Sequence, residues 1–144
     1  MALNSDPFEL QRFVDAQQGA FDAALSEIRN GAKRSHWMWF VFPQIAGLGL
    51  SAMSRRYAIR SLEEARAYLR HPLLGPRLNQ SIEAILAWAG KREAVAVLGS
   101  VDAMKLRSSL TLFQSAAPDE TLFGRALAAF FGSPDPDTLR LLDG

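Results

Sequence analysis

From Leu10 onward, apolar residues recur at intervals of three and four, and glycine or proline closes almost every such run. Leu10, Phe13, Val14, Phe21, Ala24, Leu25 and Ile28 fall on one side of a helix turning about 100° per residue. Strict alternation, the mark of a half-buried strand, is not the dominant pattern. This spacing confines the chain to packed helices. Asp6-Pro7 predicts a helix start, because Asp caps free amides and Pro is tolerated at the first helical position. Gly19 is expected to divide this region into two helices, and Asn30-Gly31 to end it.

Further helices are predicted over 51–57, from the Ser61 cap to Arg70, over 73–90, over 93–98, from Ser100 to Ser115, over 118–131 and over 137–142. Gly75-Pro76 is expected to delay the true start of the 73–90 helix. Glu63 and Glu64 read as first-turn helix charges. The expectation is an all-α fold: one domain over residues 1–144, about seven or eight short helices, strand content near zero. The length of 144 residues suits one such unit.

Composition narrows the function classes. Apolar residues make up 49% and charged residues 22%, which suits a globular core and not a disordered chain. A formal net charge of +1 gives no electrostatic reason to expect a DNA duplex as partner. Without cysteine there is no disulfide, thiolate metal site or thiol nucleophile. The first residues lack a basic start and a long apolar stretch, and the longest apolar run, 37–42, is too short for a membrane span. Cytoplasm is the expected compartment. No metal-ligand spacing and no nucleotide-binding fingerprint occurs, so no metal or cofactor is expected.

Two stretches could carry chemistry. In the first, Lys33, Arg34, Ser35 and His36 lead directly into Trp37, Met38, Trp39, Phe40, Val41, Phe42, Pro43 and Gln44. Cations beside indole faces suit an anionic, flat ligand such as a nucleotide, with phosphate held by charge and a base stacked on Trp. The same residues also suit a plain aromatic core with a solvated helix exit. Periodicity does not decide between a helix and an extended segment here. A helical turn agrees better with the flanking helices, and it would place Trp37 and Trp39 about 200° apart, one in the core and one at a cleft.

The second stretch is 102–113. On a helix, Asp102, Lys105 and Ser109 fall inside or beside the apolar arc of Leu106, Leu110, Leu112 and Phe113, whereas Arg107, Ser108, Thr111 and Gln114 lie largely opposite. Polar groups on a core-facing arc need partners or a wet cavity. Asp102 and Lys105 can pair with each other, or both can serve a ligand. The candidate site is therefore a pocket between 36–44 and 102–113. Lys33, Arg34, Trp37, Trp39, Gln44, Asp102, Lys105 and Ser109 would bind a phosphorylated, nucleotide-like molecule. If that molecule is turned over, His36 is the proton carrier, since imidazole titrates near neutrality. The other reading is a protein-interaction module in which the aromatic 37–42 segment is an exposed hot spot, without catalysis. The sequence carries no signal of oligomeric state.

Several segments together resemble one bacterial family. They are Asp6–Phe13, Lys33–Gln44, Gly47-Leu48-Gly49 with Ser51 and Tyr57, Tyr68-Leu69 with His71–Leu78, and Asp102–Ser109 with Thr111-Leu112-Phe113. The family is domain of unknown function eighteen-ten, often labelled "calpastatin" in genomes. The resemblance covers nearly the whole chain, and it implies a compact all-α fold in a cytoplasmic bacterial protein, without implying a reaction. The calpastatin label fails on physical grounds. The animal inhibitor of that name is a disordered chain that folds onto its target. The present chain has the opposite composition and no Thr-Ile-Pro-Pro segment.

Overall fold

The computed structural model describes residues 6–143. Within them the chain forms α1 (Gln11–Gln17), α2 (Phe21–Arg29), α3 (Met38–Val41), α4 (Ala52–Arg56), α5 (Leu62–Arg70), α6 (Leu74–Leu86), α7 (Ala94–Leu98), α8 (Ser100–Ala116), α9 (Thr121–Phe130) and α10 (Pro136–Asp143). Ten helices are described against the expected seven or eight, and three of them, α3, α4 and α7, are turns of four or five residues. The only strand-like pairing described is one parallel bridge, Ile45 with Ile59. The fold is all-α, as the apolar spacing predicts.

Several helix ends follow the capping chemistry of the sequence. Ser51 Oγ accepts from the Ser54 amide and Ser61 Oγ from the Glu64 amide, both at 3.1 Å. At Gly31, φ is +74° and the Gly31 amide bonds back to the Ile28 carbonyl, which ends α2. The same glycine lets the Trp88 ring lie against the backbone, because a Cβ there would sit 2.8 Å from the indole.

Several boundaries depart from expectation; the helix predicted over 73–90 already ends at Leu86. Asp6 does cap amides, those of Leu10 and Gln11 at 2.8 and 2.9 Å, but α1 begins only at Gln11. Glu9 takes φ +54°, which interrupts the helix in between. Gly75 and Pro76 do not delay α6. Both lie in its first turn, where proline costs little, and His71 Nδ1 accepts from the Leu73 and Leu74 amides at 3.1 and 3.2 Å. Ser100 is the first helical residue of α8 and not its cap. The last helical stretch before Gly132 opens at Thr121, where the Glu120 carboxylate accepts from the Leu122 amide at 3.3 Å.

A chain of aromatic contacts crosses the core. Phe13 of α1 meets Tyr68 of α5 at 5.1 Å between ring centroids, Tyr68 meets Phe113 of α8 at 5.4 Å, and Phe113 meets Phe123 of α9 at 5.9 Å. Gln17 is fully buried and donates to the Phe40 carbonyl at 2.7 Å and to the Tyr68 hydroxyl at 3.2 Å. Burial holds the Tyr68 phenol above its ordinary titration range.

α8 is buried around most of its circumference, and this corrects the two-sided picture from sequence. Ser108 and Thr111 do not face solvent. Thr111 Oγ1 accepts from the Asp135 amide at 2.8 Å, and Ser108 Oγ donates to Asp135 at 3.3 Å. Asp135 in turn caps α10 through the Thr138 amide at 3.0 Å. Arg107 closes the same turn by donating to the carbonyls of Ser133 and Pro134, each at 3.0 Å.

Glu63 and Glu64 both lie in the first turn of α5, as read from sequence, but only one of them faces solvent. Glu63 is an exposed first-turn charge, but Glu64 is 1% exposed and bonds Arg12 Nη2 at 2.7 Å. Arg12 also donates to the carbonyls of Phe8, Glu9, Arg56 and Ala58 at 2.6–2.9 Å. One guanidinium thus ties the start of α1 to the 56–60 segment that borders the candidate site.

Candidate functional site

The polar turn after α2 is built around one carboxylate. Glu27 Oε1 accepts from the Arg34 and Ser35 amides at 2.7 and 2.9 Å and from Trp37 Nε1 at 2.9 Å. The Ser35 hydroxyl donates to Oε2. Partial burial raises the Glu27 pKa, but hydrogen bonds from Ser35, the two amides and Trp37 outweigh it and bring the value to about 2. The turn therefore aims the Trp37 indole inward, where it is 1% exposed, and leaves Arg34, Ser35 and His36 on the surface.

Met38–Val41 is a single helical turn, which settles the geometry that periodicity left open. As the helical alternative predicts, the two indoles separate. Trp37 is in the core and Trp39 is half-buried at a cleft. Their cationic neighbours form an ordered row. Lys33 Nζ lies 5.1 Å from the Trp37 ring centroid and 2.8 Å from Asp102 Oδ2. Lys105 Nζ lies 3.5 Å from Asp102 Oδ1 and 4.6 Å from the Trp39 centroid. Asp102 is shared by both lysines, so the Asp102–Lys105 pair read from sequence exists but is the longer of the two. Ser109, one turn beyond Lys105 on α8, is buried, and its hydroxyl has no partner among the described residues.

The cavity beside Trp39 has no lining residue from α8, so it is not the pocket between 36–44 and 102–113 expected from sequence. Its volume is about 140 Å³, and Trp39, Gln44, the 45–49 loop, Ser54, Arg55, Tyr57, Ala58 and Arg60 line it. Its floor is the bridge between the Gln44–Ala46 segment and Ile59. The Ala46 amide donates to the Ile59 carbonyl and the Ile59 amide to the Gln44 carbonyl, each at 2.8 Å. Gly49 presses against Ser54 so closely that a Cβ there would collide with the serine hydroxyl, which closes the loop onto α4. The lining residues include two arginines, Arg55 and Arg60, and no acid. Neither Arg55 nor Arg60 has an ion-pair partner among the described residues.

Of the residues singled out in the sequence, Trp39 and Gln44 line this cavity. Lys33, Trp37, Asp102 and Lys105 form the adjoining charged row. Arg34 and His36 sit on the exposed turn, and neither lines the cavity. Sequence reasoning missed Arg55, Arg60 and Tyr57. The available signal was the density of cations just after Gly47-Leu48-Gly49, where a glycine loop and the Ser51 cap mark a turn that helical periodicity does not describe.

Comparison with known proteins places the chain. No functionally curated protein matches it. The crystal structure of the conserved hypothetical protein Rv1873 from Mycobacterium tuberculosis is similar, at 46% sequence identity and a TM-score of 0.92. The match covers 96% of this chain and 99% of that one. The family model described as "Protein of unknown function (DUF1810)" matches residues 7–142. The chain belongs to the DUF1810 family.

Proposed function

We propose that this protein binds a small phosphorylated, nucleotide-like ligand at the Trp39 cleft. The observation that carries the reading is the composition of the cavity lining: Trp39, Gln44, Arg55 and Arg60 are among its residues, neither arginine has an ion-pair partner among the described residues, and no acidic residue lines it. Such a lining favours an anion, and guanidinium groups bind phosphate through paired hydrogen bonds. Trp39 supplies a flat face for a base or similar ring. At about 140 Å³ the cavity encloses only part of a nucleotide, so the remainder extends to the surface. Lys105 over the Trp39 ring fixes the indole and adds positive charge next to the site. For a ligand reaching past the cavity toward the 34–36 turn, exposed His36 is the available proton carrier.

The interaction-module reading has weaker support. Five of the six residues from Trp37 to Phe42 are buried, and only Trp39 offers surface. No helix among the described residues is long and apolar enough to cross a membrane.

Isothermal titration with adenosine monophosphate, ribose 5-phosphate and inorganic phosphate tests the proposal, using wild type and Arg55→Gln/Arg60→Gln. Both arginines are exposed, so the double variant is expected to fold normally. Saturable binding of a phosphate compound that the double variant loses is the expected outcome. Absence of binding for all three compounds, or equal binding by the variant, would contradict it.

A further inference from the structure

Residues 57–60 join α4 to α5, and Tyr57, Ala58 and Arg60 form one wall of the Trp39 cleft. The wall is bonded along both of its edges. On one edge the Ile59 amide donates to the Gln44 carbonyl and the Ile59 carbonyl accepts from the Ala46 amide, each at 2.8 Å. Backbone groups of successive residues in such a segment point to opposite sides, so those of Ala58 and Arg60 face the other edge. No second bridge lies there among the described residues. Two side chains take the place of a neighbouring strand. Arg12 Nε donates to the Arg56 carbonyl and Arg12 Nη2 to the Ala58 carbonyl, each at 2.8 Å, and Glu64 Oε1 accepts from the Arg60 amide at 3.0 Å.

Arg12 and Glu64 are themselves joined and shielded. Arg12 Nη2 lies 2.7 Å from Glu64 Oε2, and the two side chains are 10% and 1% exposed. Arg12 Nη1 donates to the carbonyls of Phe8 and Glu9, so every N–H of the guanidinium has an acceptor. Neither residue lines the cleft. A buried ion pair is a weak source of net stability, because apolar side chains of similar volume often serve as well. Direction is what an apolar pair could not supply. Charge-assisted hydrogen bonds fix backbone groups of Arg56, Ala58 and Arg60, and that places the segment bearing Arg60.

We propose that Arg12 and Glu64 are positioning residues of the Trp39 cleft. Their buried ion pair holds the 57–60 wall against the Gln44–Ala46 segment and so sets where Arg60 stands relative to Trp39 and Gln44. The effect on binding rests on the reading of the cleft as an anion site, whereas the order of the wall is measurable without a ligand. A wall already in place leaves less to be ordered when the anion arrives, and a loosened one lowers affinity.

Arg12→Lys keeps a cation opposite Glu64 but lacks the planar fork that reaches several acceptors at once. Glu64→Gln keeps an acceptor oxygen and removes the charge. Phe123→Leu, which removes packing between α8 and α9 and lies outside the cleft lining, is the control for a loss of stability alone. ¹⁵N relaxation would give the order parameters of the Ala58, Ile59 and Arg60 amides in each protein, without ligand. Isothermal titration with adenosine monophosphate and inorganic phosphate would follow. In Arg12→Lys the three order parameters should fall from about 0.85 toward about 0.6. Affinity should drop by about tenfold, the scale of one lost charge-assisted hydrogen bond. Glu64→Gln should move both in the same direction, and Phe123→Leu should move neither. A wall as ordered in Arg12→Lys and Glu64→Gln as in wild type would overturn the proposal. So would affinity that falls as far in Phe123→Leu as in Arg12→Lys. If wild type binds neither anion, the anion reading fails by itself, and the order parameters alone decide whether Arg12 and Glu64 hold the wall.

Discussion

Replacing Lys105 by methionine separates a ligand-facing lysine from a structural one. In the folded protein its ammonium makes two contacts, a 3.5 Å approach to Asp102 and a cation–π contact with Trp39 at 4.6 Å. The lysine side chain is 21% exposed and Asp102 18%, so the pair is worth at most about 1 kcal/mol. The cation–π contact adds about 0.5–1 kcal/mol. Methionine keeps the packing of the aliphatic stem, and Asp102 keeps Lys33 at 2.8 Å, so no buried charge is stranded. The two contacts together bound the loss at about 2 kcal/mol, and with the stem packing kept the net loss should be nearer 1, a fall in Tm of roughly 4 °C for a chain of this size. Lys33→Met should cost about 1 kcal/mol more, because it removes the shorter pair and leaves Asp102 with the longer one. Urea and thermal melts of both variants would measure this, alongside titration with adenosine monophosphate. Lys105→Met should weaken that ligand while melting near wild type. A loss above about 2 kcal/mol, or a loss larger than that of Lys33→Met, would show that Lys105 holds the core and would refute the reasoning.

Arg12→Met should be the more damaging change, by about 3–5 kcal/mol, because it leaves Glu64 buried without its cation and removes the guanidinium donor from the carbonyls of Phe8, Arg56 and Ala58; denaturant melts would show it. Glu27 titrates at about 2 when folded against an ordinary value of 4.5, so its contribution is complete above that ordinary value and fades as pH falls toward the folded one. Because Glu27 is partly solvated, the contribution is on the order of 1–2 kcal/mol, and Glu27→Gln should flatten the slope of stability against pH across that window.

The helical elements were legible because their information is local. Ser51 and Ser61 announce their helices by side-chain chemistry, and the divided Trp37 and Trp39 follow from helical geometry once the 35–42 stretch turns. Glu64 sits in the first turn of its helix as expected, but its buried ion pair was not legible, because its partner, Arg12, lies 52 positions away and no local rule distinguishes it from Glu63. Ser108 and Thr111 looked solvent-facing for the same reason, since Asp135 reaches them only through the turn after α9. The cleft shows a related gap. Trp39 and Gln44 stood out by residue type, whereas Arg55 and Arg60 acquire meaning only when the Ile45–Ile59 bridge lays their segment beside the 44–49 loop. Helical periodicity carries no information about that pairing.

The most direct test of an anion site at Trp39 is a two-dimensional ¹H–¹⁵N titration with adenosine monophosphate, reading the three indole N–H signals and the amides of Gly47 and Gly49. The Trp39 indole and both glycine amides should shift together and saturate at one concentration. Trp37, buried and bonded to Glu27, and Trp88, bonded to the Ile28 carbonyl on another face, should stay in place. Unmoved Trp39 and glycine signals, or shifts confined to Trp88, would contradict the account.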